Sequence, residues 1–249
     1  MADQRSRHRR LTDRRIDARQ FSRAARHYIW RQWIRPIAPV VLIVMTFRGA
    51  VADWNDVPTP SMYPTIEVGD RIFVNKLAYG LRIPLTNTWL AMWSEPQRGE
   101  ISVLFSPTEG KCLVKRVVGL PGDEIAMRDN RLFINGIPMD YSSVEKRLSE
   151  GIKPGLTMEQ IHAIETLGRH EHFVAATPGI QAERSFGPIQ IPDDHFFVMG
   201  DNRDMSADSR VFGFVPRHLL IGRGTHVVLS FDPENWHLPR IDRIWHEMR

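Results

Sequence analysis

Thr59-Pro60-Ser61-Met62-Tyr63-Pro64-Thr65 is a short proline-bounded turn that holds one serine out of an otherwise apolar, strand-rich sequence. A serine in that setting is a candidate nucleophile. Its hydroxyl is weak at its free pKa, so the chain must also supply a general base and donors for a developing oxyanion. The ten His leave a Ser-His-Asp triad open by composition, but none lies in a segment that also reads as a catalytic turn. The nearest, His195, opens an apolar strand and reads as structural. Lys115 is the better base. It stands inside Leu113-Val114-Lys115-Arg116-Val117-Val118, where strand alternation puts it on the face opposite Val114 and Arg116. A lone amine on an apolar strand face is desolvated. Its pKa falls from a reference near ~10.4 toward the roughly 7–8 that general-base catalysis wants. The competing reading is a solvated charge on an edge strand.

A third block runs from Gly200 to Gly213 and holds three Asp, two Arg, one Asn and two Ser directly after Phe196-Phe197-Val198-Met199. So polar a loop at the end of a buried strand is either a solvated turn or a hydrogen-bonded network supporting a site. Two weaker features carry less. His170-Glu171-His172 has a metal-like look but no third ligand nearby. The single cysteine, Cys112, forms no intrachain disulfide, and its apolar surroundings predict a buried, inert thiol. No metal or cofactor is implied.

The elements that must position these residues read as strands. From Val57 the sequence becomes short apolar runs punctuated by Gly, Pro, Asn and Asp. Arg71 to Val74, Ile101 to Phe105 and Leu113 to Val118 alternate. Turns are expected at Val68-Gly69-Asp70, Pro96 to Gly99 and Pro121-Gly122-Asp123. Asp129-Asn130 and Asn135-Gly136 flank Leu132-Phe133-Ile134 as hairpin turns. Residues 140 to 190 are more polar and loop-rich. Within them a capping box at Thr157-Met158-Glu159-Gln160, followed by Ile161, Ile164 and Leu167, predicts one short helix packed on the core. Trp89-Leu90-Ala91-Met92-Trp93 reads equally as core or as a surface patch dipping into a bilayer interface.

The first fifty residues argue for a membrane. Of the net charge of +4, residues 1 to 36, with eleven Arg against three Asp, carry +8, which leaves −4 for the rest. Ile37 to Phe47 is uncharged. Extended to Trp33 through Ala52 it reaches the span of about 20 residues that a bilayer requires. Arg35 and Arg48 then lie where long side chains snorkel, with Trp30 and Trp33 at the interface. A buried core helix and a cleavable signal peptide compete. Against the latter, the basic region is long and no clear small-x-small cleavage site follows. The Arg asymmetry puts the N-terminus in the cytoplasm and everything after about residue 55 on the far side.

Taken together, Ser61-Met62-Tyr63-Pro64-Thr65, Lys115 to Asp123 and the Gly200 to Gly213 block resemble bacterial type I signal peptidases, membrane-bound serine proteases that remove signal peptides from exported precursors. The resemblance runs from about residue 34 to 235. It implies that Ser61 attacks the scissile carbonyl and that Lys115 is general base and then general acid. It also implies that Ser206 orients the lysine amine, that Asp208 and Arg210 buttress the site through a salt bridge, and that Thr59 gives its hydroxyl to an oxyanion hole with the Ser61 N–H. By position, Met62, Ile66, Leu113 and Val114 would line the pocket for small residues before the cut, with Val57 and Pro58 near its outer part. The family most often has Gly where this chain has Pro60. Proline fixes its own φ and biases Thr59 toward extended geometry.

The expected architecture is mainly β: an antiparallel β-sheet catalytic domain with a smaller inserted subdomain, preceded by one N-terminal transmembrane helix. The boundaries are 1–33 for an Arg-rich cytoplasmic tail, 34–54 for the helix, 55–125 and 191–249 for the two parts of the core, and 126–190 for the insertion. The expected partners are signal-peptide-bearing precursors and the phospholipid bilayer, with no nucleic acid. The expected location is a bacterial inner membrane, crossed once, with the catalytic domain outside the cytoplasm. Two rivals stand beside this reading: a Ser/Lys peptidase of the same fold dedicated to one secreted substrate, and a non-catalytic membrane-tethered scaffold whose Arg arm binds anionic lipid or nucleic acid.

Overall fold

The computed structural model describes residues 26–83, 86, 88–143 and 160–248. The Arg-rich tail expected at 1–33 lies mostly outside them. Residues Met1–Arg48 and Gly49–Arg249 form two separate units.

In the first unit a continuous apolar helix runs Arg26–Ala50, with a mean hydropathy of 1.3. It comprises a π-type segment at Trp30–Ile34 and α1 (Arg35–Ala50), which contains Pro39. Its side chains are almost all exposed in the isolated chain, as a lipid-facing helix requires. The helix sits earlier than the expected 34–54, because Ala52 to Asp56 is already a strand.

The second unit is built from strands, in chain order β1 (Ala52–Asp56), β2 (Asp70–Asn75), β3 (Gly80–Arg82), β4 (Trp89–Met92), β5 (Ile101–Phe105), β6 (Cys112–Gly119), β7 (Glu124–Arg128), β8 (Arg131–Ile134) and β9 (Ile137–Pro138). They continue as β10 (Asp140–Ser143), β11 (Ile161–Leu167), β12 (His170–Ala176), β13 (Phe186–Gln190), β14 (His195–Met199), β15 (Val215–Pro216), β16 (Leu220–Asp232), β17 (Leu238–Pro239) and β18 (His246–Glu247). The main antiparallel sheet has the order β1-β2-β16-β5-β6-β14-β15, with β17 and β18 added to the long β16. Strand β2 buries every second residue, the period-two pattern of a half-buried strand. Both predicted hairpin turns form. Asp129 and Asn130 join β7 to β8, and Asn135 and Gly136 join β8 to β9, all four at positive φ as a primed turn demands.

The insertion supplies two smaller sheets, β13-β7-β8-β9 and β10-β11-β12. It shares its core with the main sheet: Leu132, Ile134 and Leu167 are buried in one cluster with Val118, Phe197 and Met199. The predicted short helix is absent where it can be seen. Thr157 to Glu159 lie outside the described residues, and Ile161–Leu167 is β11, paired residue for residue with β12 from Ile161↔Ala176 to Leu167↔His170. Seven residues are too few to sustain a helix alone. A two-residue turn with Gly168 at positive φ offers them a strand partner instead.

Two further expectations change. Cys112 is exposed at the start of β6, not buried. Its sulfur still accepts from Asn55 Nδ2 at 3.1 Å, and desolvation raises its pKa, so the thiol remains unreactive. The Trp89–Trp93 stretch divides. Trp89 packs against the cluster around Tyr79, Leu104 and Phe196, whereas Leu90, Met92 and Trp93 are exposed. His195 opens β14 with its Nδ1 2.8 Å from the Asp193 carbonyl, in keeping with a structural part.

Candidate active site

The turn bearing Ser61 is a single 3-10 turn, Pro60–Met62, with Pro60 at its first position and Thr59 extended at φ −129° and ψ 150°. Proline suits that position, where its missing N–H has no intrahelical acceptor to lose and its φ is preset. Met62, next in sequence, is fully buried together with Val57 and Ile66, and Val114 packs against the same cluster. The apolar neighbours therefore pin the turn from below and leave Ser61 half-exposed above them.

Lys115 reaches the turn from β6. Its Nζ lies 2.7 Å from Ser61 Oγ, and the residue is only 3% exposed. Burial lowers the amine from an ordinary value of 10.5 to about 8, against the opposing pull of Asp208 and Asp201. The Thr59 hydroxyl donates to Ser61 Oγ at 3.4 Å. One amine poised near neutrality and one hydroxyl thus converge on the Ser61 oxygen, the arrangement that acyl transfer by a serine would use.

Asp208 and Arg210 form a forked, buried pair, with Nε to Oδ1 at 2.8 Å and Nη2 to Oδ2 at 2.7 Å. Burial alone would raise the Asp208 carboxyl, but Arg210 and the Gly200 N–H hold it below its usual range. Asp208 also caps α2 (Ser209–Phe212) by accepting from the Arg210 N–H. The Ser206 hydroxyl is buried, makes no hydrogen bond to Lys115 among the described residues, and faces Asp208, whose carboxyl it helps to hold down. It packs where a side chain on Gly200 would collide with it and with the Ser61 carbonyl, so only glycine fits there.

The anticipated pocket residues are partly brought together. Val57, Met62, Ile66 and Val114 share one apolar cluster, Leu113 packs in the different cluster around Leu104 and Phe196, and Pro58 is exposed. Strand β5 pairs with β6 over Cys112 to Arg116, while β14 pairs with it only from Arg116 onward. Among the described strands, the second edge of Leu113 to Lys115 has no partner.

Other residues of the site were not singled out by sequence. Asn202 donates its backbone N–H to the Ser61 carbonyl at 3.2 Å and its Nδ2 to the Pro60 carbonyl at 3.1 Å. Asp201 accepts from Thr65 Oγ1 at 2.5 Å and from Arg116 at 2.8 and 2.7 Å. Arg243 reaches the Thr65 carbonyl at 3.2 Å and Asp70 at 2.6 Å, and Arg240 pairs with Glu67 at 2.5 Å. Asp201, Asn202 and Arg116 lie inside the motif blocks, so the polar loop after an apolar strand was a usable signal. Arg240 and Arg243 carry none. Among the described residues no cluster of three metal-ligating side chains forms, and His172 faces Glu165 at 3.2 Å.

Known proteins resemble this chain along most of its length. A family model described as "Signal peptidase, peptidase S26" matches residues 30–229. Signal peptidase I of Pseudomonas aeruginosa is 36% identical, covering 83% of this chain and 75% of that one. The Pseudomonas fluorescens signal peptidase I is also 36% identical over the same shares. A solved signal peptidase I from Enterococcus faecalis is 31% identical and matches 52% of this chain and 97% of that one, in a loose superposition with a TM-score of 0.33.

Proposed function

The chain belongs to the signal peptidase family, peptidase S26, and from that premise we propose that Ser61 and Lys115 are the catalytic pair of a membrane-bound serine endopeptidase. The enzyme cleaves signal peptides from precursor proteins. The observation that carries the residue assignment is the 2.7 Å approach of a burial-lowered amine to the one serine displayed on a proline-bounded turn.

The steps follow from the geometry. Neutral Lys115 takes the Ser61 proton as Oγ attacks the scissile carbonyl. The developing oxyanion is stabilised by the Thr59 hydroxyl and the Ser61 N–H, which has no acceptor within so short a turn. Protonated Lys115 then gives its proton to the leaving amine as the peptide bond breaks. Water, deprotonated by Lys115, attacks the acyl carbonyl, and Ser61 Oγ takes that proton back as its ester bond breaks and the carboxylic acid product leaves. Asp208–Arg210 anchors the loop that carries Ser206 beside the turn. A precursor segment adds as an extended strand to the free edge of Leu113 to Lys115, which lays its small side chains on Val57, Met62, Ile66 and Val114. Those apolar walls reject bulky residues sterically. The experiment is cleavage of an Ala-x-Ala precursor by detergent-solubilised wild type, Ser61→Ala and Lys115→Ala. Processing by wild type alone is expected, and equal processing by all three would overturn the pair.

The placement proposed is a single span with the Arg-rich N-terminus cytoplasmic and the β domain outside, as the positive-inside rule directs. Exposed Leu90 and Met92 on β4, with Trp93 just after it, suit contact with the bilayer interface. The eleven Arg of residues 1 to 36 exceed what topology needs and suit anionic headgroups, each worth about 1 kcal/mol near the surface. Deleting residues 2 to 27 should make membrane retention more sensitive to salt. Retention and topology unchanged at low and high salt would refute that part.

A further inference from the structure

Behind the Ser61 turn lies a cluster of charged side chains that the reaction does not use. Glu165 on β11 is fully buried and takes a fork from Arg203, at 2.9 Å to Oε1 and 2.5 Å to Oε2. The Tyr141 hydroxyl of β10 also donates to Oε1, and His172 Nε2 of β12 lies 3.2 Å from Oε2. His172 is in turn 3.9 Å from Asp201, whose carboxylate holds Arg116 and Thr65. One buried carboxylate from the insertion therefore gathers three strands and the arginine that directly follows Asp201-Asn202 in sequence.

That sequence neighbourhood is the mechanical link. Asn202 holds the carbonyls of Pro60 and Ser61, Asp201 holds Thr65, and Arg203 opens the next 3-10 turn, Arg203–Met205. The backbone of Asp201-Asn202 is gripped from the insertion as well, by the Ala175 N–H donating to the Asp201 carbonyl at 2.8 Å and by the Ala175–Asn202 bridge. A shift of Arg203 passes through one peptide unit to the residue that sets the height of Ser61. We propose that Glu165 is a positioning residue of the peptidase reaction. By fixing Arg203 it fixes Asn202, and through Asn202 the approach of Ser61 Oγ to Lys115 and to the scissile carbonyl. The insertion is then part of the working site. This rests on the Ser61–Lys115 reading.

The charge of Glu165 matters more than its shape. Glu165→Gln keeps the volume but leaves the Arg203 guanidinium, 2% exposed, without its carboxylate. The carboxylate left within its electrostatic reach is that of Asp201. Arg203 then competes with Arg116 and Thr65 for Asp201 and draws the turn out of line. A misplacement of that kind affects the chemical step more than substrate binding, because the free edge and the pocket walls outside the turn, Val57, Ile66 and Val114, are left in place.

The test uses the full chain in detergent with a precursor carrying Ala-x-Ala, and compares wild type, Glu165→Gln and Glu165→Asp at a temperature where each is folded. Expected for Glu165→Gln is a kcat lower by about 10- to 100-fold with KM within about twofold, and partial recovery in Glu165→Asp, which keeps the charge. A folded Glu165→Gln with wild-type kcat overturns the proposal whatever its melting temperature. So does a kcat loss that only matches the loss of folded enzyme. Where Glu165→Gln is not recovered folded, Tyr141→Phe decides: it removes one hydrogen bond to the same carboxylate while keeping the ring. A kcat several-fold lower at unchanged KM upholds the role of Glu165, and wild-type kcat removes it. Ser61→Ala and Lys115→Ala run alongside. Cleavage by either overturns the catalytic pair, whereas silence in both with full activity in Glu165→Gln overturns only the positioning role.

Discussion

Ser61 with Lys115 and Asp201 with Arg116 are neighbours made on opposite plans. The first pair meets through one hydrogen bond, and its amine is buried with no hydrogen bond or ion pair to a carboxylate among the described residues. The second is a fork of two hydrogen bonds between full charges, both side chains at most 2% exposed, extended by the Glu165–Arg203 fork. Desolvation only partly compensated makes an amine reactive, and desolvation fully compensated makes a scaffold rigid. The contrast teaches where each kind of burial belongs: in the proposed mechanism the group without a carboxylate fork does the chemistry, and the forked groups keep it in place.

The sharpest way to break the contrast is to remove the reactive pair. Ser61→Ala or Lys115→Ala should lower kcat by about 10⁶, the scale of losing a nucleophile or its base, with the melting temperature little changed. A Lys115→Ala enzyme that keeps even a few per cent of its activity would mean that the amine is only packing. Next in size, Thr59→Val should cost about 10²–10³ in kcat, because it removes one oxyanion donor while the Ser61 N–H remains. Single-turnover cleavage measures it, and no loss would assign the second donor elsewhere. On the paired side, Asp208→Asn strands the Arg210 guanidinium and should destabilise the β domain by about 3–5 kcal/mol. Chemical denaturation reads this, and a loss of activity without any loss of stability would place Asp208 among the reactive groups.

The pH axis separates the two plans with the smallest effect. Only neutral Lys115 can accept a proton, so kcat/KM should fall about tenfold per unit below pH about 8. Its depressed pKa means that the cost of burying the charged amine grows between about 10.5 and 8 and is constant below that. His172, kept neutral first by burial and then by Arg116, begins to cost stability only below its ordinary value of 6.5. The carboxyls of Asp201 and Glu165 are buried, which alone would raise them, yet Arg116 and Arg203 hold them below their ordinary 3.8 and 4.5. Their stabilisation is present above those ordinary values and is lost as pH falls through the lower folded ones. From pH 8 to 6.5, activity should therefore drop while the melting temperature holds. A fall of both together would merge what the structure keeps apart.

The sequence made the reactive plan easier to read than the supporting one. Ser61 and Lys115 each sit in a segment whose local pattern is self-explanatory, a turn between prolines and a charge in an apolar strand. Asp129-Asn130 and Asn135-Gly136 were legible for the same reason, since turn chemistry is local. Glu165 was not. The spacing of Ile161, Ile164 and Leu167 by threes predicts a helix, whereas in the strand Ile164 lies on the face opposite the other two, and the deciding partner is the strand that follows. The split of Leu113 from the other pocket residues, and the grip of Arg240 and Arg243, depend on how distant strands pack, which no local pattern encodes.

The hydrogen bond from Asn202 to the Pro60 carbonyl joins residues 142 positions apart, and that from Thr65 to Asp201 joins residues 136 apart. Chains that depend on such distant pairings close them late, because a long loop must be ordered first. A polypeptide delivered from its N-terminus presents its serine long before it presents the residues that aim it. The turn that displays Ser61 therefore gains its hold from Asp201 and Asn202 only after the chain has passed Asn202.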